Sequence, residues 1–239
     1  MDNSGNRRKL AALAVASAFL LGGCATNGDK RDPLEPLNRG IYQLNDTVDK
    51  AVIKPVAQGY KAVLPQPVRT GVGNFFSNLD DAVVVANDLL QFKLERSVND
   101  FLRLLTNTTI GLAGLLDVAT PMGLEKHNED FGQTLGYWGI PDGPYLVLPI
   151  LGPSSFRDTL GRVADWQVDP LTQHPEVAER NWGVAVKLED VRARLLDTDQ
   201  VLDDAAIDPY VFVRDAYLQR RRNLVYDGEP PRRKFDDDE

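Results

Sequence analysis

Between Gly123 and Arg157 this 239-residue chain cannot form a long regular helix. Glycine stands at 132, 136, 139, 143 and 152, and proline at 141, 144, 149 and 153. Proline removes a backbone donor and clashes with the preceding turn, while glycine loses more conformational freedom on ordering than any other residue. The same stretch carries Phe131, Tyr137, Trp138, Tyr145 and Phe156. On both sides of it apolar residues return at helical spacing. The chain therefore reads as all-α, mainly helical, one domain with a Gly/Pro-rich hairpin segment.

Asp32-Pro33 has the form of an N-cap followed by proline in the first turn. Leu37, Ile41, Leu44, Val48 and Val52 then fall on one helical stripe, and Lys54-Pro55 predicts the stop. Pro67 to Gln91 reads as helical, with a break expected near Asn78 to Asp81; Gly71 and Gly73 weaken it, and Val83 to Val85 also suit a strand. Val98, Phe101, Leu102 and Leu105 give an i, i+3, i+4, i+7 pattern. Ile110 to Ala119 leaves almost no polar face, so as a helix it belongs either in a core or in lipid. Val184, Leu188, Val191, Leu195 and Leu202 keep helical spacing, and Asp208-Pro209 starts a further helix. Arg220, Arg221 and Arg222 in its last turns either complement the helix dipole or contact a lipid headgroup or partner.

The only cysteine, Cys24, follows Arg7, Arg8 and Lys9, an apolar run from Leu10 to Leu21, and Gly22-Gly23. That order is a secretory leader with a small-residue cut site. The Leu-Gly-Gly-Cys ending resembles the bacterial lipobox, in which the cysteine becomes the first mature residue and carries acyl chains. The apolar run is about twelve residues, short of the roughly twenty that span a bilayer. Ala25 after the cysteine implies the outer membrane under enteric-type sorting. The expected divisions are a leader at 1–23, a polar linker at 24–31, a helical domain at 32–226, and an acidic disordered tail at 227–239.

Cleavage leaves 24 basic against 34 acidic residues, a balance of −10. Phosphate contact along nucleic acid needs positive surface, so a nucleic-acid role is disfavoured. His127 and His174 have no second histidine or cysteine at ligand spacing, which gives a metal site no support. There is no Gly-x-Ser-x-Gly elbow and no phosphate-binding Gly-x-x-x-x-Gly-Lys-Ser/Thr loop. Ser154 and Ser155 read as a capped helix start, and Asp80-Asp81 and Asp203-Asp204 as solvated helix ends. No cofactor and no enzyme activity is implied.

Several ordered blocks resemble the MlaA (VacJ) family of outer-membrane lipoproteins. They begin with Asp32-Pro-Leu-Glu-Pro-Leu-Asn-Arg39, Pro65-Gln-Pro-Val-Arg69, Asn74-Phe-Phe-Ser-Asn-Leu79 and Asn107-Thr-Thr-Ile-Gly111. The most specific is Asp130-Phe-Gly-Gln-Thr-Leu-Gly-Tyr-Trp-Gly139, which runs into Gly143-Pro-Tyr-Leu-Val-Leu-Pro149 and Gly152-Pro-Ser-Ser-Phe-Arg-Asp158; Asp208-Pro-Tyr210 follows. The resemblance covers Asp32 to Tyr226. It implies a helical ring in the inner leaflet of the outer membrane with an amphipathic channel. It also implies trimeric porins as partners, and retrograde handover of phospholipid to a soluble periplasmic carrier, which preserves lipid asymmetry.

On that basis Ile110, Leu112, Leu115 and Leu116 are expected on a membrane-buried or ring-wall helix. Phe131, Gly132, Tyr137, Trp138, Gly139 and Tyr145 are expected on a channel-side hairpin or gate. Tyr137, Trp138 and Tyr145 would sit either at the lipid–water boundary or in ordinary core packing. Two rival readings are a surface phospholipase with a Ser154 or Ser155 nucleophile, and a lipid-anchored adaptor that holds porins or envelope components.

Overall fold

The computed structural model describes residues 29–199 and 207–231. Cys24, Leu202, the Asp203-Asp204 pair and the tail beyond 231 lie outside the described residues.

Helix α1 (Glu35–Val48) runs through a π-helical turn, Asp49–Ile53, into α2 (Lys54–Val63). The stop expected at Lys54-Pro55 does not occur. Pro55 has no N–H and its ring crowds the carbonyl four residues back; widening one turn relieves both problems. The Lys54 N–H accordingly donates to Asp49 O, five residues back. Asp32 is no N-cap either. It is buried, accepting from the Tyr210 hydroxyl and, at 2.8 Å, from Asn38 Nδ2.

After Leu64-Pro65, α3 (Gln66–Leu90) is unbroken, against the interruption expected near Asn78 to Asp81. Gly71 and Gly73 are contact points rather than breaks. A Cβ on Gly73 would stand 2.7 Å from Arg194 Nη1. Val83 and Val84 are buried inside this helix, which settles them as helical and not strand. Phe92, at φ +60°, turns the chain into α4 (Leu94–Thr109), which packs back along α3.

The Gly/Pro-rich stretch forms a short helix, α5 (Phe131–Tyr137), then an antiparallel hairpin of β1 (Tyr145–Leu148) and β2 (Gly152–Ser155), with Tyr145 opposite Ser155. Helix α6 (Phe156–Asp165) follows at once, capped by Ser155 Oγ accepting from the Asp158 N–H as the sequence suggested. Helix α7 (Val177–Leu195) and α8 (Pro209–Val225) are the last α-helices among the described residues, α8 capped by Asp208.

Two asparagines on α1 satisfy the free edge of β1. Asn38 donates to Tyr145 O and accepts from Val147 N–H, each at 2.9 Å. Asn45, two turns on, donates to Leu148 O at 2.9 Å and accepts from Ile150 N–H at 2.8 Å. Unpaired strand-edge groups are thereby removed. The small apolar core lies where α1, the hairpin and α8 meet: Tyr145, Val147, Tyr210 and Leu218, with Tyr42 set edge-on to Tyr210.

Helices α5 and α6 touch backbone to backbone. A Cβ on Gly161 would stand 2.6 Å from Gly132 Cα. Gly161→Ala is expected to lower stability by about 2 kcal/mol through overpacking. Gly40→Ala and Gly59→Ala, in α1 and α2 with open space at the Cβ, are expected to be neutral or stabilising. Thermal melts of the three variants in one detergent check this contrast.

Candidate functional site

The polarity of α1 and α4 is inverted, and α3 buries several polar residues beside its apolar ones. On α4 the predicted stripe exists, but Val98 and Phe101 are 60% and 52% exposed, and Leu102 and Leu105 are exposed with them. The buried stripe is Ser97, Asp100, Arg103 and Asn107. On α3 the buried set includes Asn78, Asp81, Asn87 and Asp88. On α1 the sole buried residue is Asn38, while Leu37 and Leu44 face outwards. Among the described residues, no helix is long and apolar enough to cross a membrane.

Hydrogen bonds and ion pairs join these inward polar groups. Asn78 Nδ2 donates to Thr108 Oγ1 at 2.8 Å. Lys126 and Arg103 both face Asp81, so the expectation of a solvated Asp80-Asp81 pair fails at Asp81, which is fully buried. Arg221 is not a free dipole or headgroup arginine. Its guanidinium reaches Asp130 at 2.5 and 2.9 Å and Asp158 at 2.9 Å, and the Tyr217 hydroxyl donates to Asp158 at 2.6 Å. Burial opposes ionisation of Asp130 and Asp158, yet their arginine partners outweigh it and hold both below the usual carboxylate range.

A cavity of about 280 Å³ opens between α1, the π-helical turn, the hairpin and α7. Its walls are mostly apolar: Tyr42, Val48, Ile53, Val147, Leu188 and Val191. One side is charged. Arg192 pairs with Asp49 at 2.7 Å and Asp199 at 2.9 Å, and Lys54 reaches Asp199 at 2.8 Å. Apolar walls with a fixed charged margin suit an amphipathic ligand.

The residues named from sequence fall in different places. Ile110, Leu112, Leu115 and Leu116 are not on a helix, which corrects that expectation. Residues 110–116 are a chain of turns, with Leu112, Ala113 and Gly114 all at positive φ. A Cβ on Gly114 would collide with Asn78, so only glycine fits there. Asn107 Oδ1 accepts from the Val118 and Ala119 N–H groups and anchors the end of the loop. All four side chains are exposed, Ile110 by 66%.

Gly132 is a packing glycine in α5, not a point of freedom. Phe131 and Trp138 stack edge to face at 5.9 Å, and the Trp138 indole N–H donates to Leu90 O at the end of α3. Tyr137 and Trp138 are half exposed, and Gly139 ends α5 at φ +89°. Tyr145 is fully buried between core and cavity, so the boundary position considered for it is excluded.

Ser154 Oγ lies 2.9 Å from Thr159 Oγ1 and Ser155 Oγ caps α6; no histidine partners either. His127 Nδ1 sits 2.8 Å from Asp100 Oδ2. Among the described residues no group of three or more metal-ligating side chains converges. Sequence reasoning missed the buried polar stripes. The spacing of Ser97, Asp100, Arg103 and Asn107 was as regular as that of the apolar face, and this was the available signal.

These features define a class: a mainly helical protein that turns polar groups inwards and large apolar side chains outwards around an amphipathic cavity. The sequence model of the MlaA lipoproteins matches residues 30–224. The Escherichia coli (strain K12) protein called intermembrane phospholipid transport system lipoprotein MlaA is 36% identical over 92% of this chain and 90% of its own length. The Haemophilus influenzae protein of the same name is 32% identical over 93% of each chain. A solved chain from work on the structural basis for maintenance of bacterial outer membrane lipid asymmetry superposes with a TM-score of 0.72. That match has 35% identity and covers 81% of this chain and 98% of the other. The chain belongs to the MlaA lipoprotein family.

The fully buried Asp88 carboxyl faces Asp100, with Glu129 and Lys93 nearby and His127 on Asp100; neither Asp88 oxygen receives a hydrogen bond among the described residues. Burial first, then the charges of Asp100 and Glu129, push Asp88 up to about 7. The folded state thus keeps a proton that the unfolded chain releases near pH 4. Stability from this group falls as pH rises from about 4 to about 7 and levels off above. Asp88→Asn is expected to be more stable than the native protein at pH 8 by about 2 kcal/mol, with the difference shrinking by pH 5.5. Melting curves across that range decide it.

Proposed function

We propose that this protein is a passive phospholipid conduit of the outer membrane. Acylated Cys24 tethers it, and the outward apolar side chains seat a helical ring in the inner leaflet. The cavity between α1, the hairpin and α7 is the passage. Phospholipid misplaced in the outer leaflet enters it and is handed to a soluble periplasmic carrier, so net movement is retrograde. Trimeric porins are the membrane partners. The protein does no bond-breaking chemistry.

The observation that carries this reading is the inverted polarity. Side chains such as Phe101, Ile110 and Leu112 would each lose roughly 1.5–3 kcal/mol of favourable burial if left in water. Many of the inward polar groups are paired with one another, as Arg221 is with Asp130 and Asp158 and Asn78 with Thr108. The names of the Shigella flexneri, Escherichia coli and Haemophilus influenzae relatives, intermembrane phospholipid transport system lipoprotein MlaA, support it.

A phospholipid with roughly thirty methylenes would cost on the order of 25 kcal/mol to wet completely. A chain without a recognisable nucleotide loop supplies none of that. It works by keeping acyl chains against apolar walls such as Val147 and Leu188 while the headgroup meets Arg192.

Purified full-length protein in bilayers is expected to pass labelled phospholipid to a soluble acceptor. Val191→Trp adds bulk to the cavity wall at a partly exposed site and is expected to bring transfer to the protein-free rate without lowering the melting temperature. A native protein that transfers nothing, yet binds porin, would mark an adaptor instead.

A further inference from the structure

Helix α7 has two working faces. Leu188, Val191, Arg192 and Leu195 line the cavity already described, whereas Asp190, Ala193 and Arg194 face a second pocket of about 190 Å³ against the first turns of α3. The opposite wall of that pocket is Gln66, Arg69 and Thr70.

The charges in it do not cancel. Asp190 is buried and already has two partners, the Tyr60 hydroxyl at 3.1 Å and Arg194 at 2.9 Å. Arg69 donates from Nε to Leu64 O at 3.1 Å, and among the described residues its two terminal amino groups have no partner. Gly73 lets the Arg194 guanidinium lie against the α3 backbone, where a side chain would displace it. One guanidinium is therefore left over, beside the Thr70 hydroxyl and near the positive end of α3. Arginine presents a planar fork that matches a phosphate oxygen pair.

The surroundings are apolar. Asn74, which also lines the pocket, donates to Leu115 O in the exposed 110–116 loop, and Val68, next to Arg69 in the chain, is exposed, as is Val63 at the end of α2. A free anion has no use for such flanks; a lipid has. We propose that Arg69, Arg194 and Thr70 form a second phospholipid site on the outside of the α7 wall, which holds the phosphodiester of a leaflet lipid while its chains lie on Val68 and the 110–116 loop. The site rests on the reading that the protein sits in a leaflet. It pins the headgroup plane to the start of α3 and so sets how deep the protein rides.

The test is native mass spectrometry of full-length protein in detergent, titrated with phosphatidylglycerol, with diacylglycerol of the same chains, and with inorganic phosphate. The native protein is expected to retain phosphatidylglycerol and not diacylglycerol, and millimolar inorganic phosphate is expected not to displace it. Arg69→Gln and Arg194→Gln are each expected to weaken retention about tenfold. Unchanged retention in both arginine variants overturns the proposal, as does equal retention of diacylglycerol. Displacement by inorganic phosphate overturns the lipid assignment. If either variant fails to fold, the three-ligand comparison on native protein still decides. Loss of transfer in the native protein with the outer site intact would remove the conduit reading alone.

Discussion

Arg221 reaches from α8 to the first turns of two other helices, binding Asp130 at the start of α5 and Asp158 in α6. The rest of the architecture depends on this kind of contact. Buried ion pairs are poor sources of stability in an ordinary protein, because removing two charges from water costs about as much as their attraction returns. Here there is little alternative. The apolar faces of α1 and α4 point outwards, so they contribute few contacts between helices. What remains to hold helix to helix is directional: carboxylate to guanidinium, amide to carbonyl, hydroxyl to carboxylate. Such contacts fix geometry closely, and breaking one partner leaves a buried charge without compensation. Close approaches at Gly132, Gly161 and Gly73 bring the partners within reach.

The same logic explains the hairpin. A two-stranded sheet is marginal alone. It persists because Asn38 and Asn45 act as a third strand from the side of a helix, and because Tyr145 and Val147 join the apolar core while the turn at Ile150 stays at the cavity. Tyr145 and Val147 thus serve both as core and as cavity wall. The hairpin wall is hydrogen-bonded along both edges of β1, to α1 on one side and to β2 on the other. The glycines at 132 and 161 serve helix contact, and those at 139 and 152 serve turns.

Much of the helical layout was legible. The stripes on α1, α4 and α7, the caps at Ser155 and Asp208, and the long non-helical stretch all follow from spacing and turn chemistry. Periodicity, however, says that a helix has two faces and not which one is inside. Val98, Phe101, Leu102 and Leu105 produce the same pattern whether they meet a core or a lipid tail. The error at Asp81 has that origin, since acidic pairs are solvated in the commoner case. Pro55 misled because a π-helical turn absorbs a proline without ending the helix. The Ile110 to Ala119 stretch misled because continuous apolarity was read as helix, when a loop whose backbone is tied down by Asn107 and Asn74 exposes the same side chains. The unpaired arginine at Arg69 leaves no trace in sequence, because pairing depends on residues from α2 and α7.

An inside-out protein faces a constraint that a water-soluble one does not. Its apolar exterior needs a partner at all times, and its interior, once satisfied, gains nothing from being dry. One wall of the cavity, the hairpin, is held in place by hydrogen bonds from Asn38 and Asn45 as well as by its core contacts. The cavity beside Arg192 can therefore stay apolar at Val147 and Leu188 without closing on itself, which an apolar pocket in a conventional core would tend to do. On the proposed reading, a lipid that moves from the leaflet past α7 into that space exchanges one apolar surface for another, and its headgroup exchanges water for Arg192. Neither step needs fuel, so the direction of flow is set by what lies at each end and not by the protein itself.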